Sequence, residues 1–228
     1  MVSTPRTLLR LHIEAVWGVQ LPSLAQNTVE LLREGIQPPW KLYAAAMAGE
    51  QVAIWRPDVP APEREALLGR ASEALTLPPT ERVAPHISRE VVLHQVASPT
   101  MSVAAAQQVA RLLTPDDHAL VEIFDPVDVE YYFHPDRRPL MGVIVEGRLL
   151  SLAHSSRRTA EACELGIDTL PEARRKGYAL AATVLWAASV AHEDLVPFYS
   201  ASAENTASLR LASAAGYRPF ARAATIEE

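Results

Sequence analysis

The chain has 228 residues, 49% of them hydrophobic, enough to bury the core of one large domain or two small ones. Its formal charge of −6 and pI near 5.7 argue against a general binder of nucleic acid or of an anionic membrane, since both partners reward a basic face. A lone cysteine, Cys163, excludes an intrachain disulfide and fits a reducing, cytoplasmic compartment.

In residues 1–18, Arg6 and Arg10 flank an apolar stretch that His12 and Glu14 interrupt too early for a secretory leader, so none is expected. No later run approaches the ~18 uninterrupted apolar residues of a membrane-spanning helix. Fifteen of the eighteen prolines precede residue 140, clustered at Pro38-Pro39, around Pro57, Pro60 and Pro62, and at Pro78-Pro79. Proline removes a donor and restricts its predecessor, so the first 140 residues are expected to be short helices and loops. Within them the spacing predicts a helix over 24–33, a short strand over 51–55 and a helix over 63–75 entered through Pro62. A strand follows at 90–96. A helix is predicted at 102–113, with Val103, Val109, Leu112 and Leu113 as its apolar face. Thr114-Pro115-Asp116-Asp117 supplies an N-cap, a proline at the first helical position and early carboxylates, which predicts another short helix to Phe124.

From Leu140 the texture changes. Residues 141–145 and 148–153 are apolar runs joined at Glu146-Gly147, a hairpin turn. Residues 162–169 form a third strand, 175–190 an alanine- and leucine-rich helix, and 196–201 a fourth strand. Residues 205–214 form a helix stopped by Gly216, and 217–221 a last strand. The chain thus divides into a mixed, mostly helical N-terminal region at 1–84 and an α/β domain at 85–228.

The informative segment is Ile167-Asp168-Thr169-Leu170-Pro171-Glu172-Ala173-Arg174-Arg175-Lys176-Gly177-Tyr178-Ala179, a strand that turns through a basic, glycine-containing loop into a helix. A helix start presents unsatisfied N–H groups and the positive end of its dipole, and Gly177 removes the side chain that would keep a phosphate away. An ordinary strand-to-helix turn with a solvated charge run has the same local sequence. The second segment runs from Tyr199 to Tyr217, where Asn205 ends a strand and caps a helix, and Ser208, Leu211 and the Gly216-Tyr217 pair follow. Together the two resemble the GNAT superfamily of N-acetyltransferases over about residues 140–222. Arg174-x-x-Gly177-x-Ala179 looks like its RxxGxG/A pyrophosphate loop, and Asn205, Ser208, Leu211 and Gly216-Tyr217 look like its second signature.

The resemblance implies an α/β (α+β) acyl-CoA N-acyltransferase fold, with a mixed central sheet flanked by helices. It implies acetyl-CoA as donor and direct transfer to a primary amine of a small molecule or peptide in a ternary complex. The backbone of Ile167 and Thr169 would hold the pantetheine arm, and an N–H of the same strand would stabilise the oxyanion. Arg174, Arg175, Lys176, Gly177, Tyr178 and Ala179 would hold the diphosphate, and Asn205 and Ser208 the arm from the other side. Asn205 is also an ordinary helix cap. The match departs in its acid and base. Many family members carry a tyrosine where this chain has Ala212, so Tyr199 or Tyr178 would have to serve as acid. Glu161 and Glu164 are the candidate bases, on opposite faces of their strand by the period-two rule. Without an acid, or without turnover, the chain would be a non-catalytic acyl-CoA-binding module.

The family fold also adds a strand after the one at Tyr217, but only residues 222–228 remain. The final pair must be short, absent, or completed by the N-terminal region or by a second copy in a homodimer. His86, His94, His118, His134 and His154 show no paired-ligand spacing, so no metal is expected. Asp125, Asp128 and Glu130 read as a solvated acidic loop, and Cys163 as a buried structural thiol.

Overall fold

A computed structural model describes residues 4–227. In chain order its elements are α1 (Pro5–Trp17), β1 (Thr28–Glu30), β2 (Leu42–Met47), β3 (Glu50–Trp55), α2 (Ala61–Thr76) and β4 (Ile87–Gln95). Then come α3 (Val103–Ala106), β5 (Arg111–Leu112), α4 (His118–Phe124), α5 (Val129–Phe133), β6 (Met141–Val145), β7 (Arg148–Arg158) and β8 (Ala162–Thr169). The chain closes with α6 (Tyr178–His192), β9 (Val196–Ser202), α7 (Thr206–Ala214) and β10 (Tyr217–Ile226). These elements form two compact units. One holds the chain up to Leu93 with Ser200–Ser208 and the residues from Pro219 onward; the other holds His94–Tyr199 and Leu209–Arg218.

In the first unit β2 and β3 form a hairpin, β1 runs parallel to β3, and β10 lies antiparallel to β2 from Ala221 opposite Met47 to Ile226 opposite Leu42. Side chains alternate across β2. Tyr43, Ala45 and Met47 share a core with Leu9 and Ile13 of α1, while Leu42 and Ala44 pack with Leu67, Ala71, Ala74 and Leu75 of α2. A strand covered by helices on both faces must be apolar at every position, which is why the alanines at 44–46 read without alternation. The N-terminal region therefore carries more sheet than the proline density suggested. The last strand also extends past its predicted end at 221 to Ile226, and its partner comes from the N-terminal region of the same chain.

The helix expected over 24–33 is a turn followed by β1. Val29 and Leu31 are buried while Thr28, Glu30 and Leu32 are exposed, an alternation of period two. Arg6 braces this turn through the Leu24 carbonyl at 2.6 Å and Asn27 Oδ1 at 2.5 Å. Of the stretch at 1–18 in which no leader was expected, residues 1–3 lie outside the described residues; Pro5–Trp17 is α1, capped by the Thr4 hydroxyl on Thr7 N and closed by left-handed Gly18.

In the second unit β9, β8, β7, β6 and β5 lie side by side, antiparallel except for the parallel β8–β9 pair. Helix α6 covers one face, fixed by the Trp186 Nε1–H bond to Ser155 Oγ at 3.2 Å, while α4 and α5 cover Leu149 and Leu152 on the other. Glu146 and Gly147 both have positive φ, 51° and 75°, as the predicted tight hairpin turn requires. The helix expected over 102–113 stops after Ala106, and Val103, Val109 and Leu112 are 40%, 36% and 52% exposed rather than a buried face. Residues 111–113 instead find backbone partners on β6: Leu112 pairs with Met141, and Leu113 N–H donates to Leu140 O at 2.8 Å. Both units are mixed sheets flanked by helices. No described helix is long and apolar enough to cross a membrane.

Candidate functional site

Strands β8 and β9 pair only through Ala162–Val196, Cys163–Pro197 and Glu164–Phe198. Beyond Glu164 the register ends and the strands part, while β8 stays paired with β7 as far as Thr169 opposite Ser151. The direction of the freed backbone follows from alternation. Leu170 N–H donates to Leu150 O at 3.0 Å and Asp168 O accepts from Ser151 Oγ at 3.0 Å, so these residues turn their polar groups toward β7. Ile167 and Thr169, one residue out of phase, turn theirs the other way, into the fork. An edge of unpaired N–H and C=O groups is a template for an extended ligand.

The strand runs from this fork into the basic loop and α6. Arg175 (φ 63°) and Gly177 (φ 81°) are both left-handed, and the first helical bond is Ala181 N–H to Gly177 O at 3.0 Å. The first N–H groups of α6 therefore have no intrahelical acceptor. A Cβ added at Gly177 would meet only Met101 Cε at 3.9 Å, so the approach to these donors is open. Arg174, Arg175 and Lys176 are exposed, whereas Glu172, the carboxylate nearest in sequence, is engaged by Arg148 at 3.1 Å. Tyr178 and Ala179 are half-buried.

In the second signature, Asn205 Oδ1 accepts from Ser208 N–H at 3.0 Å, so Asn205 does cap α7. Gly216 (φ 89°) is needed where it stands, since a Cβ there would lie 2.1 Å from Ala97 O, whose segment is bound by Val96 and Ala97 N–H donating to Gly216 O. Ala212, the position that the resemblance sets against a tyrosine, is fully buried.

Of the candidate acid–base residues, Glu161 is exposed just before β8, whereas Glu164 and Tyr199 are 5% and 2% exposed at the fork itself. Glu164 lies in the last paired rung and Tyr199 is the next residue of β9. Tyr217, quoted in the sequence only beside Gly216, joins them: its ring stands 5.5 Å from that of Tyr199, edge to face. Burial pushes the Tyr217 hydroxyl well above the usual tyrosine range, with the neighbouring Glu164 and Tyr199 adding to the shift. Cys163 is buried and its thiol is pushed up by that burial, with Ser155 opposing.

Sequence reasoning missed His154. Its imidazole lies flat over Gly166, opposite it in the β7–β8 register, edge-on to the rings of Tyr131 (5.5 Å) and Tyr132 (5.1 Å). Burial, then the Arg137 and Arg157 charges, lower its pKa to about 4. The available signal was Gly166 itself, since a glycine inside a strand marks a close approach.

A mixed sheet flanked by helices, with a forked parallel strand pair, is the acyltransferase fold of the GNAT type. An acetyltransferase of the GNAT family from Colwellia psychrerythraea shares it at TM-score 0.51 and 12% identity, over 87% of this chain and 77% of that one. A GNAT-family acetyltransferase from Novosphingobium aromaticivorans aligns at TM-score 0.49 and 22% identity, over 64% of this chain and 69% of the other. Residues 141–222 match the GNAT acetyltransferase family model. A search of curated proteins returned no match.

Proposed function

We propose that the chain binds acyl-CoA, with acetyl-CoA as donor, and transfers the acyl group to a primary amine in a ternary complex. The observation that carries this reading is the fork between β8 and β9, which leads into a basic loop and an open helix start. Those residues suit the coenzyme's chemistry: unpaired backbone groups for an amide-bearing arm, then cations and N–H donors for a diphosphate. The donor supplies an acyl group activated as a thioester. Ile167 and Thr169 hold the arm by backbone groups. Arg174, Arg175, Lys176 and the N–H groups from Gly177 to Ala179 hold the diphosphate. Asn205 and Ser208 are assigned to the arm on the family's second signature.

Glu164 takes the proton from the acceptor ammonium and Tyr199 returns one to the leaving sulfur; Glu161, outside the fork and exposed, is the less sheltered base. The overall charge of −6 favours a cationic acceptor, a small amine or a peptide amino group, and the setting we propose is cytoplasmic. A homodimer is not needed to complete the last strand, because β2 already pairs with β10.

One observation favours a second reading. Ala212 supplies no hydroxyl where relatives place their acid, which suits a non-catalytic acyl-CoA-binding module. Calorimetry with acetyl-CoA, followed by thiol release across a broad amine panel, separates the two. Binding with turnover supports the enzyme, and binding without free thiol from any amine leaves only the binding module. No binding overturns both.

A further inference from the structure

Arg89, in β4, is 6% exposed, an unusual place for a guanidinium. Its Nη1 donates to Leu77 O and Pro78 O, each at 3.1 Å, and its Nη2 to Glu81 O at 2.7 Å, which fixes the loop after α2. The remaining edge of the guanidinium is spent on one carboxylate: Nε and Nη2 reach Glu204 Oε1 at 3.0 and 2.5 Å. The backbone joins the same contact, since Ala203 N–H donates to Arg89 O at 3.1 Å.

Glu204 immediately precedes Asn205 and is held on its other oxygen by the Ser202 hydroxyl. Asn205 N–H donates to Ser202 O and Thr206 N–H to Glu204 O, both at 2.9 Å, so the turn between β9 and α7 is folded around the clamped carboxylate. With its Oδ1 holding the Ser208 N–H, Asn205 presents its Nδ2 donors to a ligand, and their direction is set by this turn. A surface turn would not by itself call for a buried, multiply bonded arginine.

We infer that Arg89 and Glu204 are positioning residues for coenzyme binding: they lock the turn from Ser202 to Asn205 so that the Asn205 amide is already oriented for the coenzyme arm. This rests on the reading of Asn205 as a coenzyme ligand. Pre-ordering of this kind shows as affinity, because otherwise the turn must be ordered when the ligand arrives.

The test is calorimetry of coenzyme A on the full chain, comparing Glu204→Ala, Glu204→Gln, Asn205→Ala and the double variant Glu204→Ala/Asn205→Ala. Arg89 keeps its carbonyl partners in every variant. Asn205→Ala should weaken binding about tenfold, the worth of one lost hydrogen bond. Glu204→Ala should weaken it about fivefold, the factor for ordering one further backbone residue. Glu204→Gln, which keeps an oxygen for Arg89, should recover most of that loss. The double variant should be no weaker than Asn205→Ala, because Glu204 acts through Asn205. If Asn205→Ala weakens binding while Glu204→Ala does not, or if the two losses multiply, the positioning role is wrong and the coenzyme reading stands. If Asn205→Ala leaves affinity unchanged, Asn205 is not a ligand and the inference falls with it.

Discussion

Gly166→Ala tests the packing of the candidate site most directly, because two effects of opposite sign compete there. Gly166 is not among the residues with positive φ, so alanine is conformationally acceptable. Losing a glycine would by itself stabilise the fold by about 0.4–1 kcal/mol through the unfolded chain. The new Cβ, however, would lie 2.3 Å from His154 Cε1 and 2.5 Å from Nε2, far inside contact distance. The imidazole cannot swing aside cheaply, since the Tyr131 and Tyr132 rings stand against it. Overpacking of this kind costs about 1–3 kcal/mol. Net of the gain from losing glycine, the loss is up to about 2.6 kcal/mol, which for a chain of this size lowers the melting temperature by up to about 10 °C, as read by calorimetry or circular dichroism. Adding His154→Ala should recover at least about 1 kcal/mol relative to the sum of the single changes, because the methyl group introduced on β8 then enters the vacated space. A Gly166→Ala protein more stable than the parent would refute the packing of His154 on this strand.

Three further outcomes are expected. His154 has a folded pKa of about 4 against 6.5 unfolded, so the unfolded state binds more protons between these values and stability must fall as pH drops through that window. The full loss is about 3 kcal/mol, measurable as a falling urea midpoint from pH 7 to pH 4, and His154→Asn should flatten the curve. Gly177→Glu puts a carboxylate where the diphosphate is proposed to sit and should abolish coenzyme A binding by calorimetry, while the left-handed φ of 81° costs only about 1–2 kcal/mol of stability. Coenzyme affinity within a few-fold of the parent would remove the loop from the site. Glu164→Gln should lower kcat by about two to four orders of magnitude with coenzyme affinity retained. If Glu161→Gln produces that loss instead, the base is Glu161.

The loop from Arg174 to Ala179 and the helix cap at Asn205 were legible in the sequence because both are local. A glycine at a helix start, a run of cations and an Asn followed three residues later by a Ser act through neighbours within one turn. The strands from Met141 to Thr169 were legible too, since apolar runs broken at Glu146-Gly147 admit one hairpin.

What only tertiary structure decided was set by partners far apart in the chain. Residues 111–113 gave up a helix for the edge of β6, and residues 28–32 took the alternation of a strand beside β3. The short tail after Tyr217 became a full strand because β2, far earlier in the chain, offered it an edge. Glu164, Tyr199 and Tyr217 meet at the fork, and Arg89 reaches Glu204, through contacts that no local pattern announces. The physical reason is the same in each case. Local sequence sets backbone conformation and capping, whereas a strand's edge partner and a buried charge's counter-ion depend on which distant segment folds against it.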